Sequence, residues 1–449
     1  MVKRHLPSAR PAATTVRNSG PYAASGSSAL KPLASFRFLR FVQRGLLVAL
    51  VLVCVFDPAD LFLHVKVPIF IAICAIFIVE LMLAGERRTF PTSLALYVGL
   101  FSVLLPLASL SIYALRDNTF ETFAGWHYIK ASLFFWIAIV LYGTNINFVG
   151  IISRVLTCLS CFIACVGTLM MASPLSIVPL VVLGTKYDNM DFGHRIYGGM
   201  HFPTVFYKTS PLIVIAICYY AFLFVRSHRI SSALALTINV LGMFLSGTRA
   251  NILISLAAPL FVFCWYARRK ILTLTITSVV FIGVVGASMA VLKDMFSTGE
   301  VSNQVKIGYL SDYARVLGEP LNMLLGQGLG ASFMCFTLQE NITVTELSFL
   351  EVFRFYGVFL GIFFVGLLLY PIFMLLRDRR PENGFMLIGY VLYLLIATTN
   401  PLLFSSSGMI VLSCVVYSAY RYTRTPASST YQVGSSLGPA GLAVSGLSG

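Results

Sequence analysis

Arg249 stands in a very short polar turn, Ser246-Gly247-Thr248-Arg249, between two apolar stretches. A guanidinium at such an edge is costly unless it finds a partner. Two readings are open: a snorkelling interfacial arginine, or an anion site, since the planar fork of Arg matches phosphate oxygens. Ten residues separate Arg315 from Gly326-Gln327-Gly328-Leu329-Gly330. Three glycines at that spacing permit positive φ and close backbone approach, which suits a tight turn back toward an apolar element. A dinucleotide fingerprint is excluded, because no strand and no βαβ unit surround them. Glu346 opens a long apolar run, with Glu351 and Arg354 one and two helical turns further in. Those two are three apart and could simply pair with each other, whereas Glu346 is free to accept a proton.

A further polar stretch supplies Lys186, Tyr187, Asp188, Asp191, His194, Arg195, Tyr197, His201 and Lys208. Its His and Asp residues follow no standard metal-ligand spacing, so no metal is expected. Mixed Tyr, His, Arg and Lys suit a sugar or diphosphate surface better. Cys158, Cys161 and Cys165 fall in an apolar run without His or carboxylate neighbours, which reads as packing.

The elements that must position these residues follow from composition. Of 449 residues 58% are hydrophobic and only 11% charged, and mean hydropathy is +0.85, so a soluble fold is excluded. Apolar runs near the length that a bilayer demands of a helix recur at 42–56, 67–84, 94–115, 131–149, 155–171, 205–225, 230–245, 252–266, 271–292, 347–376, 385–397 and 402–417. The expected fold is therefore an all-α polytopic membrane protein of about twelve transmembrane helices. The net charge of +15 is a topology signal and not a nucleic-acid one: eight basic residues precede the first acid, Asp57. The remaining basic clusters, at Arg87-Arg88, Arg154, Arg226, Arg229, Arg268-Arg269-Lys270, Arg377, Arg379-Arg380, Arg421 and Arg424, fall in alternate loops on that same side. The expected organisation is a basic disordered cytoplasmic tail over 1–41, a membrane domain over 42–424 and a second disordered cytoplasmic tail over 425–449. Two long loops, about 172–204 and 293–346, then face the opposite side. They carry most of the residues singled out above, which is where chemistry is expected.

Ser246-Gly247-Thr248-Arg249-Ala250-Asn251 with Leu253, Arg315 ahead of the glycine run, and Glu346 with Gly357 and Gly361 resemble the O-antigen polymerase and ligase superfamily. The resemblance is specific over about 239–361 and architectural elsewhere. It implies a bacterial inner-membrane inverting glycosyltransferase with an undecaprenyl-diphosphate-linked saccharide as donor, acting at the periplasmic face. It implies that Arg249 and Arg315 bind the diphosphate, with Glu346 the best-placed base; Lys186, His194, Arg195, Gly326, Gly328 and Arg354 are the expected substrate contacts. No cofactor, metal or nucleic acid is implied; a flippase and a chain-length regulator are the expected partners. Ligases carry a His where this chain reads Glu346-Leu347, which favours a polymerase of exopolysaccharide type. The competing readings are a lipid-linked oligosaccharide flippase or other transporter, an O-antigen ligase, and an accessory subunit of an envelope complex.

Overall fold

The computed structural model describes residues 34–83, 91–116, 122–144, 146–187, 189–197, 200–266, 283, 301–378 and 380–421. The expected span at 271–292, residue 283 apart, and the expected tail at 425–449 lie outside them. The chain is mostly helical. In chain order the helices before the first strands are α1 (Ala34–Phe56), α2 (Lys66–Leu83), α3 (Thr92–Leu115), α4 (Gly125–Thr144), α5 (Phe148–Ala172) and α6 (Val178–Tyr187). After the hairpin β1 (Met190–Tyr197) and β2 (Met200–Tyr207) come α7 (Ile213–Ser227), α8 (Ile230–Leu245), α9 (Arg249–Tyr266), α10 (Val301–Gly318) and α11 (Pro320–Leu325). A small hairpin, β3 (Phe333–Cys335) and β4 (Glu340–Ile342), precedes α12 (Ser348–Arg377), α13 (Pro381–Ala397) and α14 (Ser406–Arg421).

Among the described residues, 8 helices are long and apolar enough to cross a membrane: α1 to α5, α7 with its preceding turn, α9 and α12. Three further expected spans coincide with shorter helices, α8, α13 and α14, of 16, 17 and 16 residues. The expected amino-terminal tail gives way to helix at Ala34 instead of residue 42.

The described residues of the two long segments are largely regular structure. The first folds as α6 and the antiparallel pair β1–β2, in which Met190 faces Tyr207 and His194 faces Pro203. The span expected from Val205 accordingly starts at Ser210, and Val205, Phe206 and Tyr207 belong to β2. A short β-branched and aromatic run carries no periodicity that tells a strand from a buried helix. The second holds α10, α11 and β3–β4, so the all-α expectation is amended by two small hairpins.

Close packing inside the bundle uses small residues and shared polar groups. A Cβ on Gly242 of α8 would lie 2.6 Å from Ser160 Cα of α5. Beside that contact Ser160 Oγ donates to Asn239 Oδ1 at 2.9 Å, and Asn239 Nδ2 donates to Thr157 Oγ1 at 2.8 Å. Two helices whose backbones approach this closely satisfy their polar side chains against each other instead of against lipid.

Helix α12 is broken at Gly357, where φ is 65° and ψ −176°. The carbonyls freed by the break are covered by the glycine run: Gln327 N donates to Arg354 O at 2.6 Å and Gly328 N to Phe355 O at 3.2 Å. Ser109 Oγ of α3 adds a second donor to Phe355 O at 2.8 Å. Gly326 and Gly357 meet backbone to backbone, with the ideal Cβ of Gly326 2.5 Å from Gly357 N. Gly357→Ala combines a Gly-only backbone conformation, costing about 1–3 kcal/mol, with a Cβ 2.3 Å from Leu324 O. We expect that variant to lose thermal stability in detergent, while Gly366→Ala, in the same helix with nothing within 4 Å, melts like the wild type.

Candidate functional site

The turn between α8 and α9 is built by its own side chains. Thr248 precedes α9, and its Oγ1 accepts from Asn251 N at 3.3 Å, an N-cap bond. Asn251 is fully buried and its Nδ2 donates to Ser246 Oγ at 2.8 Å and Ser210 Oγ at 3.1 Å. Gly247, with φ of 76°, lets the turn press on β2: a Cβ there would sit 2.4 Å from Thr204 Cγ2. The hairpin, the start of α7 and the turn are thus one unit. It places Arg249 at the first position of α9, where the helix dipole is unfavourable to a cation and favourable to an anion.

Around Arg249 opens a cavity of about 630 Å³. Asp191, His194 and Arg195 enter it from β1, Asn303 and Lys306 from α10, Glu346 from the residues before α12, and Thr398, Thr399 and Asn400 from the end of α13. Arg249 Nη1 donates to Asn303 Oδ1, which ties the turn to α10. Lys306 Nζ lies 3.4 Å from Glu346 Oε2, with side chains 31% and 55% exposed. An ion pair that exposed is worth about 0–1 kcal/mol, so it is readily exchanged. The cavity holds three cationic side chains from three separate segments, two carboxylates, a histidine and a rim of uncharged hydroxyls and amides.

The structure therefore unites Arg249, Glu346, His194 and Arg195 among the residues expected from the sequence. It separates the others. Arg315 is on α10, but nine residues from Lys306, about 13 Å along the axis and half a turn around it. Its Nη2 donates to Met334 O at 2.7 Å and its guanidinium lies 4.5 Å over Phe336, so it braces β3–β4. Asp312, one turn before it, accepts from Cys335 Sγ at 3.2 Å and Phe336 N at 3.4 Å. Burial raises the Asp312 pKa, but these donors outweigh it and hold the carboxyl below its usual range. Lys186 is on α6 with its ammonium 5.1 Å over Tyr187, outside the cavity lining. Gly326 and Gly328 are buried against α12 and α3 and do not line the cavity.

Arg354, expected to touch substrate, is instead fully buried. Its Nη2 is 2.6 Å from Glu351 Oε2, and further bonds reach Thr343 O at 2.6 Å, Ala331 O at 2.7 Å and Gln327 Oε1 at 3.2 Å. The guanidinium is sandwiched by Phe355 and Phe333 at 4.3 and 4.9 Å. The simple ion pair with Glu351 is part of this larger network.

Asn303, Lys306 and the Thr398–Asn400 rim were not singled out in the sequence. A signal for the helix existed: Val305, Tyr309, Tyr313 and Val316 recur at helical spacing, with Lys306 at the edge of that stripe and Asn303 one turn before it. No group of three or more potential metal-ligating side chains occurs among the described residues.

No protein-family model, no curated protein and no solved structure matches this chain. Removing one partner of the buried pair separates the two kinds of arginine: Arg354→Ala leaves Glu351 uncompensated at a cost of about 3–5 kcal/mol. Arg315→Ala, on a half-exposed side chain, costs about 1 kcal/mol or less. Chemical or thermal unfolding in detergent micelles should rank the two in that order.

Proposed function

We propose that this chain is a membrane glycosyltransferase that polymerises lipid-diphosphate-linked oligosaccharide repeat units at the periplasmic face of a bacterial inner membrane, making an exopolysaccharide or related surface polysaccharide. The observation that carries the proposal is the convergence of Arg195, Arg249 and Lys306, distant in sequence, on one cavity with Glu346 at its mouth. Three cations beside a helix N-terminus suit a diphosphate, and the hydroxyl and amide rim suits sugar.

The placement supports the sidedness. α8 runs from Arg229 to the cavity turn, and α13 runs from Arg380 to the Thr398 rim. The basic residues Arg226, Arg229, Arg377 and Arg380 therefore sit at the helix ends remote from the cavity, about 24 Å away along a 16-residue helix. The positive-inside rule assigns those ends to the cytoplasm.

In the proposed reaction a hydroxyl oxygen of the acceptor repeat bonds to the anomeric carbon of the donor as the bond from that carbon to the phosphate oxygen breaks. The bonding pair leaves on the lipid diphosphate, whose growing charge Arg249, Arg195 and Lys306 stabilise. The hydroxyl proton passes to Glu346. We assign Arg315 no part in this step, because it does not line the cavity.

In cells deleted for this chain and complemented with variants, Arg249→Ala lowers polymer by about 100-fold, with single lipid-linked repeats accumulating on the periplasmic side. Arg315→Ala at equal membrane abundance restores polymer. Repeats trapped on the cytoplasmic side would identify a flippase instead.

A further inference from the structure

The Lys306–Glu346 pair lies within the proposed anion site, and the two partners reach it from differently anchored segments. Lys306 is one helical turn after Asn303, whose side chain already receives Arg249. An anion bound by Arg249 is therefore next to Lys306 as well. Glu346 is held in place by its backbone neighbours. Thr345 N donates to the buried Glu351 at 2.7 Å, Thr345 Oγ1 is 2.7 Å from Tyr313 OH of α10, and Ser348 N donates to Glu346 O at 3.1 Å. Only the side chain of Glu346, 55% exposed, has room to turn away.

We infer that Glu346 is a placeholder for a phosphate oxygen on Lys306, and that arrival of a diphosphate displaces it. The inference rests on the diphosphate reading of the cavity and adds a coupling to it. A phosphate group carries more charge and more acceptor oxygens than a single carboxylate and engages Arg249 at the same time, so it wins the lysine. Glu346 is then released from its cation at the moment a donor occupies the cavity, and its carboxylate is free to turn toward the acceptor hydroxyl. Before the donor arrives, Glu346 is held on Lys306. Asp191, His194 and Arg195 on β1 also face the cavity, so the exchange takes place among both signs of charge and not in a uniformly positive funnel.

The sign of one substitution tests this. Inorganic pyrophosphate is titrated calorimetrically into the full chain in lipid nanodiscs. Glu346→Gln removes the competitor and should tighten binding about two- to fivefold, the exchange value of an exposed ion pair. Lys306→Gln should weaken it about tenfold or more, and the double variant should bind like Lys306→Gln alone, with no gain from removing Glu346. Wild-type binding that Glu346→Gln leaves unchanged or weakens would overturn the exchange and leave the diphosphate site standing. Absence of pyrophosphate binding in wild type and in all three variants, each folded by its melting curve, would overturn the diphosphate reading and the exchange with it.

Discussion

The ion pair between Arg354 and Glu351 is the constraint on which the segments from α10 to the start of α12 depend. Both side chains are fully buried, and taking two charges out of water is tolerated only where every remaining donor and acceptor is met. The chain meets them by gathering distant segments around one guanidinium: Thr343, Ala331, Gln327 and two aromatic faces. The other oxygen of Glu351 takes Thr345 N, and Thr345 holds Tyr313 of α10. A change at this pair therefore propagates to α10, to the glycine run and to the residues just before α12, which are the parts that present Lys306, Asn303 and Glu346 to the cavity. The break at Gly357 belongs to the same arrangement, because the loop that feeds Gln327 to Arg354 also caps the carbonyls the break exposes. These groups hold the segments that line the cavity without lining it themselves.

Much of the membrane architecture was legible in the sequence because lipid permits few solutions. An apolar run of bilayer length forms a helix whose backbone is satisfied internally, so Lys66–Leu83, Thr92–Leu115 and Phe148–Ala172 fall close to where the runs place them. What was not legible lies where that rule stops applying. Val205 to Tyr207 are as apolar as the helix that follows, and only pairing with Met190 to Phe192 makes them a strand. The helical stripe of α10 passes for loop when polarity alone is read. In the candidate site Arg249 could be found because its turn is short and edged by apolar runs. Arg315 and Lys306 sit on one helix, and only the direction each side chain points tells the cavity-facing cation from the brace; that depends on the hairpin against which the helix packs. Arg354 illustrates the same ambiguity in reverse, since a charge near the membrane reads as functional until its partners are seen.

The chemistry proposed for the cavity follows from what its walls offer. Arg249 at the start of α9 adds a fixed positive charge to a helix end already positive, an arrangement that pays off only with an anion between them. Asn303 steadies that guanidinium without neutralising it, and Arg195 and Lys306 approach from β1 and α10. Uncharged Thr398, Thr399 and Asn400 also line the cavity, and the proposed sugar would meet them without an electrostatic preference. A leaving group that carries its own activation needs nothing further from the protein than stabilised charge and a proton acceptor.

The most direct measurement is the fate of a synthetic polyprenyl-diphosphate oligosaccharide incubated with the purified chain in proteoliposomes, without nucleotide or any other protein. The account predicts products whose glycan mass rises in whole repeat units, with free polyprenyl diphosphate released for each bond formed and both lost in Arg249→Ala. Substrate that crosses the bilayer with its mass unchanged, in wild type and in Arg249→Ala alike, would contradict it.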